Sequence, residues 1–269
     1  MPAGESGVVS DSTHDSETPP QPRARLAPPY APRVVFENED VLVVDKPPFL
    51  EAHPSKPGGV ATLWDELRGL LAYEIANGGQ VSIINRLDRE TSGLTLVAKR
   101  YEAARDFSQL MERRGISKEY LALVHGWPEQ DEWRVDGPLL RAGAVGEERV
   151  WVKQRVHPDG AVAASVFRVE RRWEKGGERF AKVRAFPETG RMHQLRVHLA
   201  HSGHPIVGDK LYGRAGEACY LEFIETGWTP SLAARLLLPR QALHSCVLRA
   251  GEWEWTSSLP CDLAAWAGE

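Results

Sequence analysis

The sequence predicts an α+β domain built on a mixed, mainly antiparallel central sheet flanked by helices and loops. Three observations lead there. Short apolar or alternating runs, the mark of strands, outnumber runs with helical spacing. The two kinds follow each other irregularly, without the strict alternation that builds a parallel doubly wound sheet. Gly, Pro and Asn punctuate nearly every boundary. The chain has 269 residues, enough for one substantial core. No internal repeat is visible.

Taken in order, residues 1–33 read as a disordered tail. They are rich in Ser, Pro and acidic residues, and PPQPRARLAPPYAP has no apolar period, so the segment cannot bury enough surface to offset its ordering entropy. A single domain is expected over 34–269. VVFENEDVLVVDKPP gives two short strands around the turn ENED, ending at Pro47-Pro48. Thr62 to Ala76 places Leu63, Leu67, Leu70, Leu71 and Ile75 at helical spacing, and Asn77-Gly78-Gly79 stops it. Val81 to Ile84 is a strand, Asn85 to Gly93 a polar loop, and Leu94 to Ala98 a strand again. Tyr101 to Arg114 is an amphipathic helix closed by Gly115. Strands are expected at Lys118 to His125, Ala164 to Glu170 and Phe180 to Phe186, and a helix over 191–202. After residue 240, ALHSCVL and EWEWT alternate like strands.

Composition narrows the function class. Hydrophobic residues are 42% and charged residues 26%, the balance of a globular chain. No run approaches the about 20 apolar residues of a membrane span, and the first ten residues lack the pattern of a signal peptide. Cys219, Cys246 and Cys261 are odd in number and form no C-x-x-C. That argues against a disulfide framework or a zinc ribbon; three buried, reduced thiols in a cytoplasmic protein are expected. The formal net charge of −4 hides an asymmetry. Seven arginines and lysines face two carboxylates between Arg179 and Arg214, whereas three face seven between Glu217 and Glu269. The nine tryptophans are assigned mainly to core packing, with base stacking as the other use.

Two polar segments carry chemistry. In Asn85-Arg86-Leu87-Asp88-Arg89-Glu90-Thr91-Ser92-Gly93, a strand delivers a carboxylate into a small-residue loop. Neighbouring arginines would keep Asp88 ionised, which suits a nucleophile or base. In Gly190-Arg191-Met192-His193-Gln194-Leu195-Arg196-Val197-His198, followed by Gly208-Asp209, a helix would place His193, Arg196 and Val197 on one side. A metal site using His193, His198, His201 and Asp209 is the alternative. Its spacing is not that of a zinc helix, and the arginines oppose a cation. No metal is expected.

Together these segments resemble the RluA family of RNA pseudouridine synthases, from about Val34 onward. Asn85 to Leu94 looks like its R-L-D-x-x-T-S-G-L motif, and Lys118-Glu119-Tyr120 its K-x-Y motif. Gly190 to His198 with Gly203 to Gly213 is similar to its G-R-T-H-Q-I-R-x-H block and the stretch that follows, and Val41 to Pro47 to its V-x-K-P strand. The chain departs from the pattern with Asn85 for His, Met192 for Thr, and Glu51-Ala52 ahead of His53-Pro54. An S4-type module is expected to be absent.

The resemblance implies the pseudouridine synthase catalytic fold and an isomerase of uridine in RNA that needs no cofactor. It implies Asp88 as the catalytic carboxylate, Tyr120 against the target base and assisting a proton transfer, and Arg196 paired with Asp88. Arg86 would fill the stack where the uridine leaves, and Leu195 would shape the base pocket. Arg89, Lys118, Arg191, His193, Gln194 and His198 would contact RNA. The expected partner is structured RNA, a ribosomal or transfer RNA stem-loop, met by a monomer. A metal-dependent hydrolase and a non-catalytic RNA-binding module are the competing classes.

Overall fold

The computed structural model describes residues 26–54 and 59–269. The tail expected at 1–33 therefore lies largely outside the described residues. What is described of it is tied to the domain: Leu26 carbonyl oxygen accepts a hydrogen bond from Arg89 (2.7 Å), and Arg33 pairs with Asp45.

The elements run β1 (Arg33–Glu37), β2 (Val41–Lys46), α1 (Leu63–Leu70), α2 (Ala72–Ala76), β3 (Ser82–Ile83), β4 (Ser92–Ala98), α3 (Tyr101–Glu112), β5 (Ile116–His125), β6 (Glu132–Asp136), β7 (Leu139–Arg141), β8 (Gln154–Val156), β9 (Ala164–Lys175), β10 (Glu178–Pro187), α4 (Gln194–His201), α5 (Ala218–Thr226), α6 (Pro230–Leu236), β11 (Leu243–Ala250), β12 (Trp253–Thr256) and α7 (Cys261–Ala267). One sheet has the order β1-β2-β4-β11-β5-β10-β9-β6, with β3 on β4 and β12 on β11. All its pairings are antiparallel except β4 with β11. A separate ribbon joins β7 and β8. The α+β reading holds.

The apolar run Val41-Leu42-Val43-Val44 is buried on both faces, as continuous apolar strands are. Leu42 and Val44 meet Leu63, Leu67 and Leu71 on one side; Val41 and Val43 meet Leu94, Leu96 and α3 on the other. The third cluster lies over β5 and β10, where α4 supplies Leu195 and Leu199, and α7 supplies Leu263 and Ala267.

Two expected helices differ. The segment 62–76 is two helices, broken at Leu71 (φ −99°, ψ 26°). Its apolar residues recur every four positions, and each such step turns about 40° past one full helical turn. The break resets the phase, so that Leu71 stays buried and Ile75 still packs on the same cluster. The segment 191–202 becomes helical only at Gln194, because His193 takes a left-handed conformation (φ 58°). Short elements without a strong period (β6, the β7–β8 ribbon, α5, α6 and α7) escaped the sequence reading. Cys219 and Cys246 are buried, but Cys261 is exposed, because it opens α7 rather than packing under it.

The parallel seam between β4 and β11 unites the two halves of the sheet, and Gly93 makes it possible. Gly93 has φ +112°, and a Cβ there would lie 2.2 Å from the Ser245 carbonyl oxygen. Beside it runs a proton-ordered chain. Ser257 donates to Asp45 (2.6 Å), so its oxygen accepts from His244 Nε2 (3.1 Å), and His244 Nδ1 accepts from Ser92 (3.0 Å). Burial, more than any neighbouring charge, lowers the His244 pKa and keeps the ring neutral.

Two outcomes follow. Gly93→Ala should destabilise the domain by at least about 3 kcal/mol in urea unfolding, because backbone must move at the seam. The second concerns His125, packed on Phe180 and brought down to about 4, chiefly by burial and then by Arg214. A histidine depressed in the fold leaves the unfolded chain holding more protons below its ordinary value near 6.5. Stability therefore falls as pH drops from 6.5 to about 4. His125→Phe should flatten that slope by the equivalent of about one proton; an unchanged slope would refute the assignment.

Candidate active site

Loop 85–93 is fixed before it carries any chemistry. Asn85 Nδ2 donates to Leu94 O (3.1 Å) and its Oδ1 accepts from Leu96 N (2.7 Å), which pins the loop to β4. Lys46, fully buried, donates to the carbonyls of Pro47, Leu50 and Arg89. Burial first, relieved in part by Asp88, brings its amine down to about 7. Lys210 holds the Glu90 carboxylate (2.7 and 2.8 Å), and Arg240 Nη1 donates to Glu90 O (3.4 Å). Three buried basic side chains therefore grip one loop.

At its centre stands Asp88, its side chain 30% exposed. Oδ2 accepts from Arg196 Nη1 (2.8 Å) and Gln241 Nε2 (3.3 Å), and His193 Nε2 lies 3.9 Å away. Among the described residues Oδ1 has no bonded partner. Burial pushes the Asp88 carboxyl up, but the Arg196 charge and the hydrogen bonds outweigh it, so the group titrates below the usual aspartate range. Arg196 is in turn clamped by Asp209 through two bonds (Nε–Oδ2 2.7 Å, Nη2–Oδ1 2.9 Å). Asp209 Oδ1 also accepts from the backbone of Leu211 and Tyr212. Gly208 permits this packing, since a Cβ there would meet Arg240 O at 1.9 Å.

Behind the carboxylate, Tyr212 Oη accepts from Gln154 N (2.8 Å) and so donates its proton to His193 Nδ1 (2.8 Å). The His193 proton is then on Nε2, facing Asp88. Burial, reinforced by Arg196, brings His193 down to about 4, so it is neutral at neutral pH. Tyr120, buried on β5, packs with Leu87, Leu195 and Leu243. Burial and then the Asp88 charge raise its phenol, which stays protonated.

The sequence-derived residues thus sort into groups. Asp88, Arg196, Tyr120, Leu195 and His193 converge. Arg86 and Arg191 are exposed, and Arg191 Nε donates to Val162 O. Lys118 Nζ lies 4.0 Å from where a side chain on Gly190 would begin. Arg89 binds Leu26 O. Gln194 and His198 are buried with their polar atoms engaged: Gln194 by Ala164, Ser165, Thr189 and Arg191, and His198 by Ser165 and Gly137. α4 is enclosed nearly all round, so each polar group on it needs an internal partner. The expectation that Gln194 and His198 meet RNA directly is therefore corrected: they anchor α4. The alternative metal set is not assembled either, because Arg196 takes both Asp209 oxygens and His198 faces away to Ser165 and Gly137.

Gln241, Tyr212 and Lys46 were given no role from sequence. Tyr212 and Lys46 stand inside recognisable motifs; Gln241 carries no local signal, being 153 positions from Asp88. The arginine that ionises Asp88 is also not a sequence neighbour but Arg196, 108 positions away.

Replacing Arg196 by Met should move the Asp88 carboxyl upward by about 1–3 pH units, since burial would then be opposed mainly by the Gln241 hydrogen bond. Carboxyl-carbon NMR titration reads this directly; equal titration in both proteins would remove Arg196 as the controlling charge.

Comparison with known proteins matches this arrangement to one group. The family model described as RNA pseudouridylate synthase matches residues 40–201. The ribosomal large subunit pseudouridine synthase D of Nitrosomonas europaea is 35% identical over 240 residues, covering 87% of this chain and 63% of that protein. Its namesake in Yersinia pestis is 34% identical over 250 residues, covering 89% and 71%. The chain thus spans a little under two thirds of the Nitrosomonas protein. Among solved structures, human RNA pseudouridylate synthase domain containing 4 has the same fold, with a TM-score of 0.65 at 23% identity over 86% of this chain and 90% of that one. Human RNA pseudouridylate synthase domain containing 1 gives 0.64 at 23% over 90% and 97%. The chain belongs to the RNA pseudouridylate synthase family.

Proposed function

We propose that the protein isomerises specific uridines to pseudouridine in structured RNA, with Asp88 as the catalytic carboxylate. The observation that carries this is the state of that carboxylate. It is partly exposed, held ionised by Arg196, and fixed through Oδ2 alone, so Oδ1 is left to act.

The reaction breaks the bond from N1 to C1′, turns the base and joins C5 to C1′, so no atom is gained or lost overall. The uracil must first leave its stack, at a cost of a few kcal/mol. Arg86, exposed two residues before Asp88, is suited to fill the gap it leaves. Cleavage develops positive charge on the sugar, which a carboxylate stabilises or traps. Attack at C1′ and removal of the 2′ proton both require the ionised form that Arg196 maintains. The detached base would rest among Tyr120, Leu87 and Leu195, an apolar floor that limits competition from water. Once C5 has joined C1′, the C5 proton must be lost while N1 gains one. Asp88, again ionised, would be the base, with the protonated Tyr120 phenol acting only as a relay that gives up one proton as it takes another. Every group these steps need is a side chain of this protein, acting as a monomer without a cofactor.

The relatives are named for the large ribosomal subunit, which favours ribosomal RNA over transfer RNA as substrate and a cytoplasmic setting. Among the described residues, no helix is long and apolar enough to cross a membrane.

Asp88→Asn should lower turnover by about 10³-fold or more while leaving RNA bound. Pseudouridine mapping of total RNA from cells with the wild type, the variant, or neither would show the same one or few sites missing in the last two. Sites that persist in the variant would point instead to a binding role.

A further inference from the structure

The sequence shows a basic stretch, yet most of it does not reach RNA. Of its seven cations, Arg179, Lys182, Arg184, Arg196, Lys210 and Arg214 are all in ion pairs, and Lys182 meets Glu269 from the acidic end of the chain. The arginines that form no ion pair among the described residues include Arg141, Arg149, Arg155 and Arg191. The first three belong to the β7–β8 ribbon and its connection; Arg191 precedes Met192.

Arg141 lines a cleft of about 480 Å³ together with Gly143, Ala144, Trp151, Gln154 and Met192; Arg149, Arg155 and Arg191 are exposed within one or two residues of that lining in sequence. Trp151 is 72% exposed, and the Arg141 guanidinium stacks on its ring at 3.9 Å. Met192, also exposed, forms another wall. A single exposed aromatic means little, but an exposed indole and an exposed methionine lining one cleft with an arginine make a patch of the kind that marks interaction sites. Trp133, Trp173, Trp228 and Trp266 pack on the cores, and Trp255 is buried. The cleft also adjoins the catalytic group. Met192 is next to His193, and the Gln154 N–H donates to the Tyr212 hydroxyl that bonds His193.

We propose that Trp151, Arg141 and Met192 form a stacking subsite for an unpaired nucleobase flanking the target uridine, with Arg149, Arg155 and Arg191 meeting the adjoining phosphates. This rests on the proposed function and deepens it. An indole braced by a guanidinium offers a flat face to any base, the thioether closes the opposite side, and free arginines match phosphate oxygens. The occupant is single-stranded, since a base inside a duplex has both faces covered by its stacked neighbours. Met192 stands where the family pattern has Thr, so the subsite would give this chain a target preference of its own.

The test uses the full chain in the Asp88→Asn background, so that binding is read without turnover. The probe is unmodified large-subunit ribosomal RNA transcribed in vitro. Trp151→Ala should raise Kd by about 5- to 100-fold, the range for losing one stacked base, and Trp151→Phe should recover most of it. In the active protein the loss should fall on KM. Unchanged Kd in both Trp151 variants would overturn the subsite, whether or not pseudouridine forms. Weakened binding in a protein that forms no pseudouridine would keep the subsite and remove the synthase reading. Because Trp151 is exposed, its loss leaves the core intact, and circular dichroism would verify this.

Discussion

One guanidinium organises this molecule. Arg196 spends two of its donors on Asp209, buried and saturated by backbone amides, and a third on Asp88, which is partly exposed. Burying a cation costs several kcal/mol unless its geometry and partners are nearly complete. Here Asp209 completes them, so Arg196 would remain charged and in place even without Asp88. The clamp is thus independent of the carboxylate it serves. That independence lets Asp88 stay ionised while its remaining oxygen is free. Placing the clamp imposes its own constraints: Gly208 must lack a side chain, and α4 must begin abruptly at a left-handed His193.

The same logic extends to the loop. Lys46, Lys210 and Arg240 are all buried, and each donates to the segment 89–90. Apolar packing in their place could stabilise the fold equally well. What it could not do is direct donors at particular backbone and carboxylate oxygens. A loop held that way stays within the small tolerance that carboxylate chemistry at a sugar requires. The sheet contributes the rest. Tyr120 on β5 and the loop leading into β4 come together only because β11 lies between them, parallel to one and antiparallel to the other.

Much of this was legible in the sequence, for identifiable reasons. Strands such as 41–46 and 94–98 are buried on both faces, so their apolar runs are unbroken. Asp88, Tyr120 and Arg196 lie in motifs whose order and spacing specify them jointly. The failures also share causes. The arginines flanking Asp88 in sequence suggested a counter-charge, but ionisation depends on through-space neighbours: Arg89 binds the Leu26 carbonyl, and it is Arg196, which the motif resemblance also named, that pairs with Asp88. Gln194 and His198 looked like RNA ligands because polar residues on a helix usually face solvent. Nothing local reveals that α4 is enclosed. A left-handed histidine is likewise invisible, since its conformation is stabilised by a tyrosine nineteen positions away.

Charge distribution gives the last step. A formal charge of −4, with the basic stretch consumed by internal ion pairs, leaves little long-range pull on a polyanion. Each phosphate contact adds affinity that salt removes, roughly one power of concentration per contact. A protein with many such contacts binds any RNA well and must find its target among competitors it also holds. Among the arginines that form no ion pair, Arg141 lines the cleft around Trp151, and Arg149, Arg155 and Arg191 stand close to its lining residues in sequence. Weak general attraction coupled to stacking beside the catalytic group ties binding energy to the geometry of one unpaired segment. Under the proposed function, selectivity would come from fit at the site rather than from attraction to RNA as such. That suits an enzyme whose reaction begins only when a single base can be lifted out of its stack.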